Sequence, residues 1–338
     1  MKAMKIAAAI LLVALLAWGA IAAHKKLVAP QQYKETRFMM DTVIEITAYG
    51  GNAATAVPKV MAEFQRIQNL TNQFDENSQV AQINRLAGEE PVAVDKTLME
   101  MLKRANANSV KLNGALDVTV GVLTNLWGVG RKGDFVPEQA QIDTLLPFVD
   151  YKLLKIDETK NTVYLPQKGM RIDLGAVAKE YATYRAVQIL KEAGINSALI
   201  NAGGDIRVIG LRPDGNPWRI GVQDPRQSDG IRAKIDLTEW DSLETSGDYQ
   251  RFFEKDGVRY SHILDPKTGK QPREVTSVTV VSNSAADNYM LATALFVLGV
   301  EKGQEVLKKF PGAEAIWVTN DNKTVITPGL AGKVEITP

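Results

Sequence analysis

Apolar residues recur at helical spacing in four stretches of the chain. Within Ala54–Asn69, Val57, Val60, Met61, Phe64 and Ile67 fall on one side of a 3.6-residue period, which predicts an amphipathic helix. Thr97–Leu112 repeats the pattern. Gly175–Ala193 gives a third helix, whose broad apolar face comprises Val177, Tyr181, Tyr184, Val187, Ile189 and Leu190, with Gly194 as its stop. Asn288–Leu298 is a fourth, strongly apolar helix. Alternation predicts strands at Thr42–Tyr49, Ser197–Ile200, Asp205–Ile209, Arg219–Val222, Ala233–Leu237 and Thr276–Ser282. Ala315–Thr319 and Thr324–Thr327 read as a closing hairpin around Asn320-Asp321-Asn322. Helices and strands mix without a regular βαβ beat, so the pattern predicts an α+β fold rather than a doubly wound one.

The chain opens differently. Lys2 and Lys5 precede an uncharged apolar stretch, Ile6–Ala23, with small residues near its end, and His24-Lys25-Lys26 restores polarity. This is the shape of an export signal. The stretch is also at the short edge of what spans a bilayer, so cleavage and retention as an anchor both stay open. Residues 1–27 are therefore read as signal peptide or membrane anchor, 28–34 as a proline-containing linker, and 35–338 as one catalytic unit. The expected location is the periplasm or the outer face of the inner membrane.

Composition narrows the chemistry. The 338 residues carry 40 Lys plus Arg against 39 Asp plus Glu, and no basic run marks a nucleic-acid partner. There is no cysteine, and the histidines are His24 and His262. Thiolate nucleophiles, Cys-rich zinc sites, iron–sulfur clusters and a lipidated cysteine anchor are thereby excluded. A metal here needs mostly oxygen ligands, which suits a hard cation such as Mg²⁺.

Several short constellations can carry such chemistry. Arg171–Glu180 places Asp173, a glycine and Lys179 at the start of a predicted helix, where free N–H groups bind anions; Asp173 also suits an N-cap. Asn201-Ala202-Gly203-Gly204-Asp205 joins two strands, as a tight hairpin or a close approach to a ligand. Glu244–Tyr249, rich in hydroxyls, reads as a ligand-facing or ordinary loop. Gly114–Val120 resembles a strand entry, with Asp117 serving a ligand or holding the turn. Tyr260–Gly269 holds His262, the one side chain of the mature domain whose ordinary pKa suits proton transfer near neutrality. Thr293 adds hard oxygen, or bonds back to its own helix. No GxGxxG and no P-loop occurs.

The order of these segments resembles the ApbE-type FAD:protein FMN transferases. The resemblance rests on Met40-Asp41-Thr42, Phe74–Asn84, Gly114–Gly121, Asp173–Tyr181, Asn201–Asp205, Thr245–Tyr249, His262–Gly269 and Ala292–Gly299, and it covers most of residues 35–330. It implies an exported enzyme that binds FAD and Mg²⁺, transfers FMN to a threonine or serine hydroxyl of a partner flavoprotein, and releases AMP. The acceptors it implies are subunits of membrane redox complexes, Nqr/Rnf-like. By position it puts FAD contacts on Met40, Phe74, Ala115, Leu116, Asp117, Asp173, Lys179 and Ile263. It puts Mg²⁺ on the Ala176 carbonyl, Asp287 and Thr293.

Three positions depart from the family pattern. Phe74 stands where a tyrosine is common, keeping the ring and losing the hydroxyl. Asp41 replaces a glycine, and Tyr289 occupies the place of an aspartate four residues before the threonine, leaving Asp287 as the nearest carboxylate. His262 is the expected base for the acceptor hydroxyl, with Asp248 in reserve. A flavin-binding protein without transferase activity and an FAD pyrophosphatase without acceptor are the alternative readings, and an exported domain without flavin is the blandest.

Overall fold

The computed structural model describes residues 30–283 and 290–337. The expected signal segment, Asp287 and Tyr289 lie outside the described residues. In chain order, β1 (Gln32–Met39) and β2 (Thr42–Tyr49) form a hairpin, followed by α1 (Ala53–Thr71), α2 (Gln79–Arg85), β3 (Val92–Ala93) and α3 (Lys96–Lys111). The first residues of β1 thus fall in the stretch read as linker. Two short helices, α4 (Gly121–Trp127) and α5 (Gln139–Leu145), lead to β4 (Lys155–Asp157), β5 (Thr162–Tyr164) and α6 (Ala178–Glu192). The strands β6 (Ser197–Ala202), β7 (Asp205–Ile209), β8 (Trp218–Gln223), β9 (Ile231–Leu237), β10 (Ser242–Gly247), β11 (Phe252–Lys255), β12 (Val258–Ser261) and β13 (Val275–Ser282) follow. The chain closes with α7 (Leu291–Leu307), β14 (Glu314–Thr319), β15 (Thr324–Ile326) and β16 (Val334–Ile336).

An eight-stranded sheet in the order β1-β2-β6-β7-β10-β13-β14-β15 organises the molecule, every neighbouring pair antiparallel. Its two faces bury different cores. Ile44, Ile46, Ile200, Val278, Val280 and Trp317 pack under the helices with Phe64 of α1, Leu102 of α3 and Leu295 of α7. Residues of opposite parity, including Ile206, Val208, Val281 and Ile316, pack against Trp218 and Ile220 of β8 and Ile235 of β9. The strand period of two makes this division: β13 reads VTSVTVVS and is buried along its whole length because both faces are covered. A third cluster joins Leu123, Trp127, Ile142, Phe253 and Leu264 beneath the β11–β12 hairpin.

Four local expectations change. Gly114–Val120 is a succession of turns rather than a strand, with an isolated parallel bridge from Val120 to Arg171. The helix expected from Gly175 begins at Ala178, after a turn over residues 175–177. The Glu244–Tyr249 loop is largely strand β10, paired with β13 from Ser242 to Gly247. Two of its hydroxyls pair across the ladder: the Ser242 and Ser282 hydroxyls meet at 2.8 Å, and those of Thr245 and Thr279 at 2.9 Å. The fourth helix runs beyond Leu298, turning at Gly299 (φ 73°), where the Glu274 carboxylate accepts from the Val300 amide at 2.8 Å.

Candidate active site

A cleft of about 420 Å³ gathers the segments that lie far apart in sequence. Its lining includes Met40, Phe74, Ala115, Leu116, Asp117, Asp173, Lys179 and Ile263, the expected flavin contacts, together with Ala176, Thr293 and His262. A largely preformed concavity with a few convergent polar groups is the usual form of a small-molecule site.

The lower wall is built at the start of α6. Asp173 accepts from the Gly175 amide and from the Thr124 hydroxyl, both at 2.8 Å. It therefore fixes the turn that presents Ala176 and does not cap α6, whose N-cap residue is Val177, with no side-chain cap bond. Lys179 reaches Asp205 at 2.6 Å, at the beginning of β7 just after Gly203-Gly204. Asp117 is buried, and both its oxygens are used internally: one accepts from the Thr119 amide at 2.8 Å and hydroxyl at 2.6 Å, the other from the Tyr151 amide at 2.7 Å. Of the two roles open to Asp117, holding the turn is the one the structure shows. Burial raises its pKa.

His262 enters from the segment after β12. Its backbone amide donates to the Arg251 carbonyl at 3.0 Å, and its Nδ1 lies 3.2 Å from the same oxygen. A carbonyl only accepts, so Nδ1 carries the proton and Nε2 keeps a free lone pair. Burial, reinforced by the Arg251 charge, lowers the pKa to about 4, so the imidazole is neutral at physiological pH. Asp248, the reserve base, does not line this cleft. Arg226 grips both its oxygens, at 2.7 and 2.8 Å, and the pair lines a separate cavity of about 330 Å³. With both oxygens on Arg226 and facing that second cavity, Asp248 is not positioned in this cleft to serve as the reserve base.

Thr293, in the first turn of α7, meets Ser246 of β10 hydroxyl to hydroxyl at 2.9 Å. Ala176 and these hydroxyls line the same cleft, and oxygen is the donor type that a hard divalent cation takes. Among the described residues, no three acidic or histidine side chains converge as a metal site.

Sequence reading missed Glu180. It is 4% exposed, lines the cleft, and its carboxylate accepts from the Met290 amide, immediately before α7. Burial and the nearby Glu244 and Asp205 carboxylates raise its pKa well above the usual range. The signal was present in Lys179-Glu180, but only the true start of α6 turns Glu180 inward. Glu244 pairs with Arg207 at 3.2 Å in the interior, and burial still pushes it to about 8.

The ApbE family model matches residues 40–317. The chain belongs to the ApbE family. Among the relatives of this ApbE member, the FAD:protein FMN transferase of Treponema pallidum (strain Nichols) is 31% identical over 324 residues, 90% of each chain. That of Klebsiella pneumoniae (strain 342) is 34% identical over 297 residues, covering 87% of this chain and 92% of the relative. The crystal structure of the ApbE protein from Thermotoga maritima superposes with a TM-score of 0.82 at 35% identity, covering 90% of this chain and 99% of that one. The flavin transferase ApbE from Vibrio cholerae gives 0.79 at 28% identity, with the same coverages. The expected α+β architecture is thus the ApbE fold.

Proposed function

We propose that this enzyme transfers FMN from FAD to a threonine or serine hydroxyl of a partner flavoprotein, in a reaction that depends on Mg²⁺ and releases AMP. The observation that carries the reading is His262: a neutral imidazole, its Nδ1 committed to the Arg251 carbonyl, in the same cleft as the Ala176 and Thr293 oxygens. The acceptor hydroxyl is a weak nucleophile at its own pKa and needs a base. Its oxygen attacks the phosphorus on the riboflavin side of the diphosphate, and its proton passes to Nε2 of His262. The bridging P–O bond breaks, and its electron pair leaves with AMP.

Ala176, Thr293 and Asp287 are the residues to hold Mg²⁺, with Asp287 outside the described residues. When bound, the cation offsets diphosphate charge. This chain's own groups position the rest: Asp173 holds the Ala176 turn, and Lys179, tethered by Asp205, lends positive charge near the substrate. The apolar Ile6–Ala23 stretch supports export, and acceptors in Nqr/Rnf-like membrane redox complexes suit that location. One assay tests the reading. FAD and Mg²⁺ are incubated with the enzyme, with and without an acceptor domain, and AMP and protein-bound flavin are measured. AMP formed only with acceptor, together with covalent flavin, is expected. AMP without acceptor indicates hydrolysis, and tight FAD binding without AMP indicates a carrier; either overturns the proposal.

A further inference from the structure

The rim of the cleft carries an ion cluster with no part in the reading so far. Lys179, the cation at the floor, is already matched by buried Asp205. The remaining cations on the lining, Arg131 and Arg251, both sit at the rim and share one carboxylate, Asp41. The Asp41 Oδ2 lies 3.5 Å from Arg131 and 3.6 Å from Arg251, and the side chains are 60% exposed for Asp41 and 46% for each arginine. Such long, half-exposed contacts are weak and exchange readily. Asp41 itself is presented by the β1–β2 turn, where Met40 (φ 54°) and Asp41 (φ 58°) are both left-handed. The Arg131 guanidinium also lies 3.5 Å from the centre of the Phe74 ring, covering a face that an aromatic ring of a ligand needs.

We propose that Arg131 and Arg251 are the residues that bind the diphosphate of the substrate, and that Asp41 holds them at the rim until it arrives. Two arginines opposite one carboxylate leave a positive charge to spare, and a diphosphate offers each guanidinium paired oxygens in place of a single distant one. Arg131, in moving to the phosphate, leaves the Phe74 ring and opens it for stacking. Charge recognition and ring recognition are coupled through one side chain, so ligands bearing both a diphosphate and a ring are selected over those with the ring alone. The inference rests on FAD being the substrate.

The test compares FAD and riboflavin binding to the full-length protein by calorimetry, at several salt concentrations, for wild type and for Arg131→Ala, Arg251→Ala, Arg131→Lys and Asp41→Asn. Each alanine variant is expected to weaken FAD binding about tenfold or more and to flatten the salt dependence, while riboflavin binding changes less than about twofold in Arg251→Ala and tightens in Arg131→Ala, which uncovers the Phe74 ring. Arg131→Lys falls between, since it keeps the charge and loses the fork. Asp41→Asn is expected to tighten FAD binding several-fold by freeing both arginines. Equal losses for FAD and riboflavin, or an unchanged preference between them, overturn the inference while leaving the transferase reading intact. A wild-type protein that binds no FAD overturns that reading, and this inference with it.

Discussion

Replacing Glu180 separates two jobs that its carboxyl group performs, accepting a hydrogen bond and carrying a proton. Glu180 is buried at the start of α6 and accepts from the Met290 amide that leads into α7. Glu180→Ala leaves that amide without its acceptor, at a cost of about 1–3 kcal/mol. It also removes one buried methylene along with the carboxyl, roughly 0.8 kcal/mol more. The sum is about 2–4 kcal/mol, a large part of a typical domain's stability. Glu180→Gln keeps a carbonyl acceptor and loses only the titration. Because the folded pKa stands above the ordinary value of 4.5, the folded state keeps a proton that the unfolded state releases. The stabilisation is full below about pH 4.5 and is lost as pH rises toward the folded pKa. Urea denaturation at about pH 5 and about pH 8 checks both points. Glu180→Ala is expected to be strongly destabilised at both values. Glu180→Gln is expected to gain on the wild type as pH rises, since glutamine does not ionise. A glutamine variant as unstable as the alanine one, or a wild-type-to-glutamine difference independent of pH, refutes the reasoning.

Other expectations follow from the same geometry. Gly299→Ala puts a side chain at φ 73° and ψ −167°, with the new Cβ 2.1 Å from a Glu274 carboxylate oxygen, so a loss of about 2 kcal/mol or more is expected in urea denaturation. Asp173→Ala deprives the Gly175 amide and the Thr124 hydroxyl of their acceptor; a stability loss of about 1–3 kcal/mol and a larger proportional loss of FMN transfer are expected, checked by denaturation and steady-state kinetics. The His262 pKa is lowered to about 4, so its base form prevails at all pH values above that. The pH profile of kcat/KM for FMN transfer is therefore expected to lack an inflection near the ordinary histidine value of 6.5, and a clear one there contradicts the assignment.

Legibility in the sequence followed the strength of each local pattern. The helices α1 and α3 stand within two residues of their expected ends because buried residues such as Val57, Met61 and Phe64 keep the helical period. β7 runs Asp205–Ile209 as expected, after its glycine turn. β1 could not be read from QYKETRFM, where only Met39 is buried: it is an edge strand formed by pairing with β2. β10 looked like a loop because its core-facing stretch holds Thr and Ser, whose hydroxyls find partners only once β13 lies beside them.

The site shows the same division. Segment order brought Met40, Phe74, Lys179, His262 and Thr293 into one expected cleft, and all line it. Asp248 pointed elsewhere because its partner Arg226 comes from the loop after β8, a contact with no local signature. Glu180, Arg131 and Arg251 went unread for a related reason: each role depends on where a turn ends, and turn geometry is set by the surrounding fold.

The central claim is that His262 takes the proton from an acceptor hydroxyl as FMN moves onto it. Single-turnover transfer of FMN to a purified acceptor domain, read by mass spectrometry in Mg²⁺ for wild type and His262→Ala, tests it most directly. The account predicts that the alanine variant binds FAD normally and transfers at least about a hundredfold more slowly, the scale of a lost general base. Undiminished transfer by His262→Ala would contradict it.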